Sequence, residues 1–149
     1  MRYDPVMIQP FRDELTRVGF KELRTVEDVE RTLFKEEGTN LLVFNSVCGC
    51  AAGKARPGIV AGLKQSPVRP DSLTTVFAGA DLESTARVRE HMENIPPSSP
   101  SIALFRGSTL LHFVPRFQIE GRDALQISEH LVEVFQEHCS SGVESESDS

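Results

Sequence analysis

The chain lacks the marks of a membrane, nucleic-acid-binding or exported protein. No apolar run approaches the roughly 20 residues that a membrane-spanning helix needs, so no such helix is expected. There is no basic cluster. Sixteen Lys and Arg face 22 Asp and Glu, and the net charge of −6 is the opposite of a nucleic-acid footprint. The start, Met1-Arg2-Tyr3-Asp4-Pro5, lacks the charged opening and apolar run of a secretory signal, so the cytoplasm is the expected location. Cysteine is scarce as well. Three cysteines without an export signal argue against a disulfide framework. In a reducing compartment a close pair points instead to catalysis, redox sensing or metal binding. Internal repeats are absent, and the one biased segment is 140–149. It holds Glu144, Glu146 and Asp148 with no base, and is expected to be a disordered acidic tail.

What is present fits one domain over 1–139. The length suffices for a single core, and 39% hydrophobic and 26% charged residues are ordinary for a globular chain. Met7, Ile8, Phe11, Leu15 and Val18 recur at helical spacing, with Pro10 expected in the first turn and Gly19 as the stop. Thr25 and Asp28 read as a capping box for a second helix with Val26, Val29, Leu33 and Phe34 inward, stopped at Gly38. Residues 39–45 form a short apolar run and are expected to be a buried strand. From Cys50 to about Gln65 a helix is expected, kinked at Pro57. A strand over 73–78 follows, then a polar helix capped by Asp81 and reaching about Asn94. After a stiff proline-rich connector, 102–105 and 109–114 read as a hairpin about Gly107-Ser108. Residues 123–138 close the domain as an amphipathic helix with Leu125, Ile127, Leu131, Val134 and Phe135 inward. Crossovers make the first strands parallel, and the hairpin adds an antiparallel edge. The expected fold is therefore α/β and thioredoxin-like, a mixed central sheet with helices on both faces.

The chemistry centres on Cys48-Gly49-Cys50, where the apolar strand hands over to a helix. A thiol at the positive end of a helix dipole is stabilised as thiolate, the nucleophile of disulfide exchange. Cys48 is the expected nucleophile, and Cys50, two residues on, is placed to resolve a mixed disulfide. Gly49 keeps a side chain out of the turn. A disulfide across one residue closes a small, strained ring, which favours an exchanger or oxidant over a strong reductant. Two other readings stand: inert core cysteines, or a soft-metal site. A closed zinc site wants four ligands, and His91, His112, His130 and His138 have no spacing that supplies the rest. Cys139 is a third redox thiol, an intermolecular partner or a partly buried helix-end residue. Arg56 either holds a carboxylate of a small thiol or is a solvated helix residue.

Several segments carry a resemblance. They are Asn45-Ser46-Val47-Cys48-Gly49-Cys50-Ala51-Ala52-Gly53, Ala55-Arg56-Pro57, Thr75-Val76-Phe77-Ala78-Gly79 and Pro97-Ser98-Ser99-Pro100-Ser101, followed by His112-Phe113-Val114-Pro115-Arg116 and Ile119-Glu120-Gly121. Together they resemble the bacilliredoxin family, thioredoxin-like proteins with a Cys-Gly-Cys site. The resemblance implies removal of bacillithiol, a low-molecular-weight thiol, from mixed disulfides on client proteins. Bacillithiol is then a co-substrate, no bound cofactor is implied, and a recycling thiol or reductase completes the cycle. It also implies that Pro100, before a strand, is a cis-proline that aligns the substrate backbone opposite the cysteines; an ordinary trans-proline is the alternative. Lys54 departs from the pattern, which leads one to expect an apolar residue there. Two further functions stay open. One is protein disulfide isomerase activity. The other is a non-enzymatic thiol-redox sensor or metal-binding module.

Overall fold

A computed structural model describes residues 3–33 and 38–139. The tail from Ser140 and the position of Phe34 lie outside the described residues. Helix α1 (Pro5–Thr16) opens where the Asp4 carboxylate accepts the Val6 N–H at 2.9 Å and Pro5 supplies a pre-set φ. This cap starts the helix two residues before the apolar spacing does, so Pro10 falls beyond the first turn and Met7 is exposed. Gly19, at φ +104°, turns the chain out of the helix. Strand β1 (Lys21–Glu22) follows, and its two residues are too short to leave a periodic signal. Helix α2 (Val26–Thr32) has the expected capping box of Thr25 and Asp28.

Strand β2 (Thr39–Asn45) is buried along its whole length. One turn of π-helix (Ala51–Ala55) then runs into α3 (Arg56–Gln65). The expected kink takes this form because Pro57 has no N–H for the α ladder, and the Arg56 N–H reaches back five residues to Ala51 O. Strand β3 (Ser72–Phe77) leads to α4 (Leu82–Arg89), which ends a turn earlier than the sequence suggests. Asp81 holds the N-cap position but does not cap with its side chain. Its carboxylate takes both Arg12 Nη atoms, at 2.8 and 3.0 Å, and the Phe77 N–H. Strands β4 (Ser101–Arg106) and β5 (Thr109–Val114) form the hairpin. A short helix α5 (Arg116–Glu120) and the long α6 (Ala124–His138), capped by Asp123, complete the chain.

The five strands lie in the order β1-β3-β2-β4-β5. β3 runs parallel to β1 and β2, while β4 is antiparallel to β2 and β5. The mixed sheet with an antiparallel hairpin at one edge is as expected. Alternation along β2 divides the core. Leu41 and Val43 pack with Leu15, Ile59, Leu63, Leu131 and Phe135, from α1, α3 and α6. Leu42 and Phe44 pack on the other face with Val29, Val88 and Met92, beneath α2 and α4. Leu125, expected inward, is exposed, because α6 turns Ile127, Leu131 and Val134 to the sheet instead.

Glycine lets α3 and α6 approach closely. A Cβ on Gly58 would stand 2.6 Å from Ile127 Cγ2 and 3.0 Å from Ala124 O. Gly58→Ala is expected to destabilise the fold by about 2 kcal/mol, despite its better helix propensity, through overpacking. Urea denaturation checks this; an unchanged midpoint would show that the two helices move apart freely.

Behind the hairpin, His112 on β5 and His130 on α6 meet with their Nε2 atoms 3.0 Å apart. Burial first, then neighbouring positive charge, lowers the pKa of both. His130 and His138 act on His112, and Arg122 acts on both rings, while Glu137 and Glu133 oppose the shift at His112 and His130 respectively. The folded state therefore binds fewer protons here than the unfolded chain. The contribution to stability is whole above the unfolded value of about 6.5 and is lost as pH falls through the lower folded values. Stability is expected to fall between pH 7.5 and 5, and His130→Gln to flatten that slope in urea titrations at each pH.

Candidate active site at the end of strand β2

The site begins where β2 ends. Asn45 uses its whole amide: Nδ2 donates to Phe11 O at 3.1 Å, and Oδ1 accepts the Ser46 N–H and Arg56 Nη1, both at 2.9 Å. Arg56 is 1% exposed. Its Nε donates to Glu14 at 3.0 Å, Nη1 also donates to Ser46 O at 2.8 Å, and the guanidinium lies 4.9 Å over the Phe11 ring. The expectation that Arg56 receives a substrate carboxylate is therefore corrected, as is the solvated alternative. It is a buried clamp that fixes the first residues of the cysteine loop.

From that clamp the chain turns into the π-helical segment. Cys48 O accepts the N–H groups of Ala51 and Ala52 at 3.0 and 3.2 Å. Cys48 thus stands where a capping residue stands, with its sulfur in the place of a capping oxygen. Burial alone would raise its pKa, but the net shift is downward. The Ala51 N–H, the Ser46 hydroxyl, the Cys50 N–H and the positive charge of Arg116 all favour the thiolate. Cys50 shifts the other way. Burial, the Cys48 charge and the Glu120 carboxylate raise it, and Arg116 only partly offsets them. Its thiol lies 3.8 Å from Glu120 Oε2. Both sulfurs are half-buried free thiols. One cysteine is thereby prepared to attack, and its neighbour is held protonated until later.

Gly49 is exposed, has no left-handed φ, and would hold a Cβ with nothing within 4 Å. The turn between free thiols does not need glycine sterically. Its bare backbone leaves the approach to the sulfurs open. The Ser99–Pro100 peptide is cis, as the family resemblance implied. Pro100 itself is buried.

Helix α5, with no periodic signal of its own, supplies the groups that reading the sequence did not single out. Arg116 Nε donates to Glu120 Oε2 and Nη1 donates to Ser99 O, each at 3.3 Å, while its backbone N–H donates to Ser98 Oγ. Lys54 donates to Glu120 O at 2.7 Å and ties the π turn to the end of α5. The cation that departs from the expected apolar pattern is thus spent on a helix-end carbonyl. An apolar groove lined by Ile95, Pro96, Pro97, Phe113 and Phe117 adjoins Arg116 and Glu120, with Phe117 71% exposed. The clue in the sequence was Pro115 immediately before Arg116, a residue suited to opening a helix.

Cys139 lies elsewhere. It interacts with the Thr39 hydroxyl, and burial and Asp71 raise its pKa. Thr39 begins β2 and Asn45 ends it. At about 3.3 Å per residue the two ends are roughly 20 Å apart. That separation rules out direct exchange between Cys139 and Cys48 within one molecule.

A family model described as disulphide isomerase matches residues 3–139. A bacilliredoxin of Bacillus licheniformis is 50% identical over 133 residues, covering 89% of this chain and 92% of that protein. A bacilliredoxin of Halalkalibacterium halodurans is also 50% identical, over 142 residues that cover 93% and 98%. The chain belongs to the bacilliredoxin family. Among solved structures, thioredoxin f2 of Chlamydomonas reinhardtii has TM-score 0.53 at 14% identity, over 80% of this chain and 96% of that one. Oxidized thioredoxin O2 of Arabidopsis thaliana gives 0.51 at 17%, over 81% and 95%. These likenesses show the thioredoxin fold. As a bacilliredoxin-family protein with this fold, the chain is a thiol-disulfide oxidoreductase whose partners carry thiols or disulfides. No described helix is long and apolar enough to cross a membrane.

The Arg56 clamp makes a prediction for the family site. Arg56→Ala removes a buried cation, strands its partners and opens a cavity, so a loss of about 3 kcal/mol is expected. Urea denaturation measures that loss, and the pH profile of Cys48 alkylation should shift to higher pH as the loop loosens and its N–H groups leave the sulfur. A variant of full stability would show that Glu14, Asn45 and Ser46 hold the loop without it.

Proposed function

We propose that the protein removes bacillithiol from S-bacillithiolated proteins, with Cys48 as nucleophile and Cys50 as resolving thiol. The observation that carries this reading is the opposite acidity of two thiols one residue apart, Cys48 lowered and Cys50 raised. The names of the relatives support the choice of small thiol. Cys48 thiolate attacks the bacillithiol sulfur of the client's mixed disulfide. The client thiolate leaves and takes a proton from water. Cys50 then gives up its proton and attacks the Cys48 sulfur, which expels bacillithiol and leaves a Cys48–Cys50 disulfide. Two electrons from a small thiol or a dithiol reductase restore the pair. Pro100 and the open backbone at Gly49 position the client segment beside the sulfurs. Bacillithiol is a co-substrate in this scheme, and the clients are cytoplasmic proteins.

Isomerase activity is the second reading, favoured by the description of the family model. It uses the same first attack on a client's own disulfide. The metal reading finds no support: among the described residues no group of three or more His, Cys, Asp and Glu is arranged to hold an ion.

Intact mass of Cys50→Ala after mixing with a bacillithiolated protein tests the scheme, with a glutathionylated protein in parallel. A bacillithiol adduct on Cys48 with little glutathione transfer is expected. Equal transfer from both donors would favour a general exchanger or isomerase, and no adduct from either would favour a sensor. Cys48→Ala is expected to abolish exchange; retained turnover in that variant would overturn the assignment of the nucleophile.

A further inference from the structure

With Arg56 buried, the thiol site still has a cation open to a ligand. Arg116 is 42% exposed, sits at the start of α5, and lowers the pKa of Cys48 through its charge. Its guanidinium is only partly committed. Nε and Nη1 make the contacts to Glu120 and Ser99 O, both long at 3.3 Å, and Nη2 makes no hydrogen bond among the described residues. The remaining donors belong to the group that adjoins the apolar groove of Ile95, Pro96, Phe113 and Phe117. The nearby carboxylate, Glu120, is itself 48% exposed and is held through one oxygen, so an incoming carboxylate can replace it on the planar fork.

We propose that Arg116 is the specificity-determining residue for the small thiol, binding a carboxylate on the moiety transferred to Cys48. The inference rests on the transfer reading above and adds the residue that selects what is transferred. In the first step the small thiol's sulfur bonds to Cys48 while its bond to the client sulfur breaks. The client leaves as thiolate, and the small thiol stays on the protein. Its carboxylate then faces a cation next to the sulfur it has just joined, whereas the departing client makes no such demand. Arg116 in this way acts twice, on the nucleophile through charge and on the substrate through hydrogen bonds. When a carboxylate engages Nε and Nη2, Glu120 is released beside the Cys50 thiol, which must lose its proton in the next step.

The two actions separate in a ratio. In the Cys50→Ala background, one single-cysteine carrier peptide is loaded with 3-mercaptopropionate, with 2-mercaptoethanol or with bacillithiol, and single-turnover transfer to Cys48 is followed by intact mass. Arg116→Gln slows every donor through the loss of thiolate, which cancels in the rate ratio of 3-mercaptopropionate to 2-mercaptoethanol. That ratio is expected to fall about tenfold, the effect of losing one charge-assisted contact. Arg116→Lys is expected to keep part of it, since the charge remains without the fork. A ratio unchanged in Arg116→Gln overturns the inference and leaves Arg116 as a modulator of Cys48 acidity alone. Transfer from both simple probes but not from bacillithiol overturns the bacillithiol reading while the carboxylate contact survives. No transfer from any donor to the protein with Arg116 intact overturns both.

Discussion

The active loop depends on one buried guanidinium. Arg56 joins the end of β2, the body of α1 and the first turn of α3 through Asn45, Ser46 O, Glu14 and the Phe11 ring. A fully buried arginine is tolerable only when hydrogen bonds and opposite charge offset its lost hydration. Nη2 is buried without a hydrogen-bond partner among the described residues, while Nε and Nη1 meet that requirement through Glu14, Asn45 and Ser46 O. The cysteine loop therefore leaves the sheet at a fixed angle, and the Ala51 N–H points at the sulfur of Cys48. Arg56 fixes the start of the loop whose N–H groups, with the Ser46 hydroxyl, lower the pKa of Cys48.

A second short element completes the asymmetry. Helix α5 has five residues and one buried side chain, Ile119, so little of its own packing holds it. It is pinned from outside by Lys54 on Glu120 O and by Arg116 on the Ser99 carbonyl. Pinned there, it presents a cation and a carboxylate to two thiols that differ in what they must do. Arg116 lowers Cys48, and Glu120 raises Cys50. These charges add to the larger causes, the hydrogen bonds that lower Cys48 and the burial and Cys48 charge that raise Cys50. Helix dipole alone would act on both sulfurs in the same direction.

Most of this fold is legible in the sequence because its elements are long or carry their own punctuation. β2 is a continuous apolar run between Gly38 and the cysteines, and the capping box at Thr25 and Asp28 announces α2. β1 and α5 are not legible, since two paired residues and one buried isoleucine make no period. The pair Cys48 and Cys50 was readable from spacing, but their difference was not, because it arises from the folded loop's N–H groups, from burial and from the distant charges of Arg116 and Glu120. Arg56 shows the limit most plainly. A cation one turn into a helix reads as a solvated or ligand-binding residue, and only the tertiary path of α1 over it turns it into a buried clamp. Asp81 fails for a related reason: a good N-cap residue is drawn off by Arg12, a stronger partner than a backbone N–H.

The same reasoning sets Cys139 apart from the Cys48 and Cys50 site although it is a cysteine like the others. Reactivity follows thiolate character and reach rather than residue type. Cys139 sits at the opposite end of β2, half-buried, where burial and Asp71 oppose ionisation. Cys48 has three hydrogen-bond donors and a cation that favour its thiolate, at the end of the sheet where a strand opens into a loop. In an open α/β sheet the carboxyl ends of parallel strands are where backbone N–H groups converge and where neighbouring loops leave room for a partner. The polarity of β2 thus sets Cys48 at the end of the sheet where a partner can approach and Cys139 at the other.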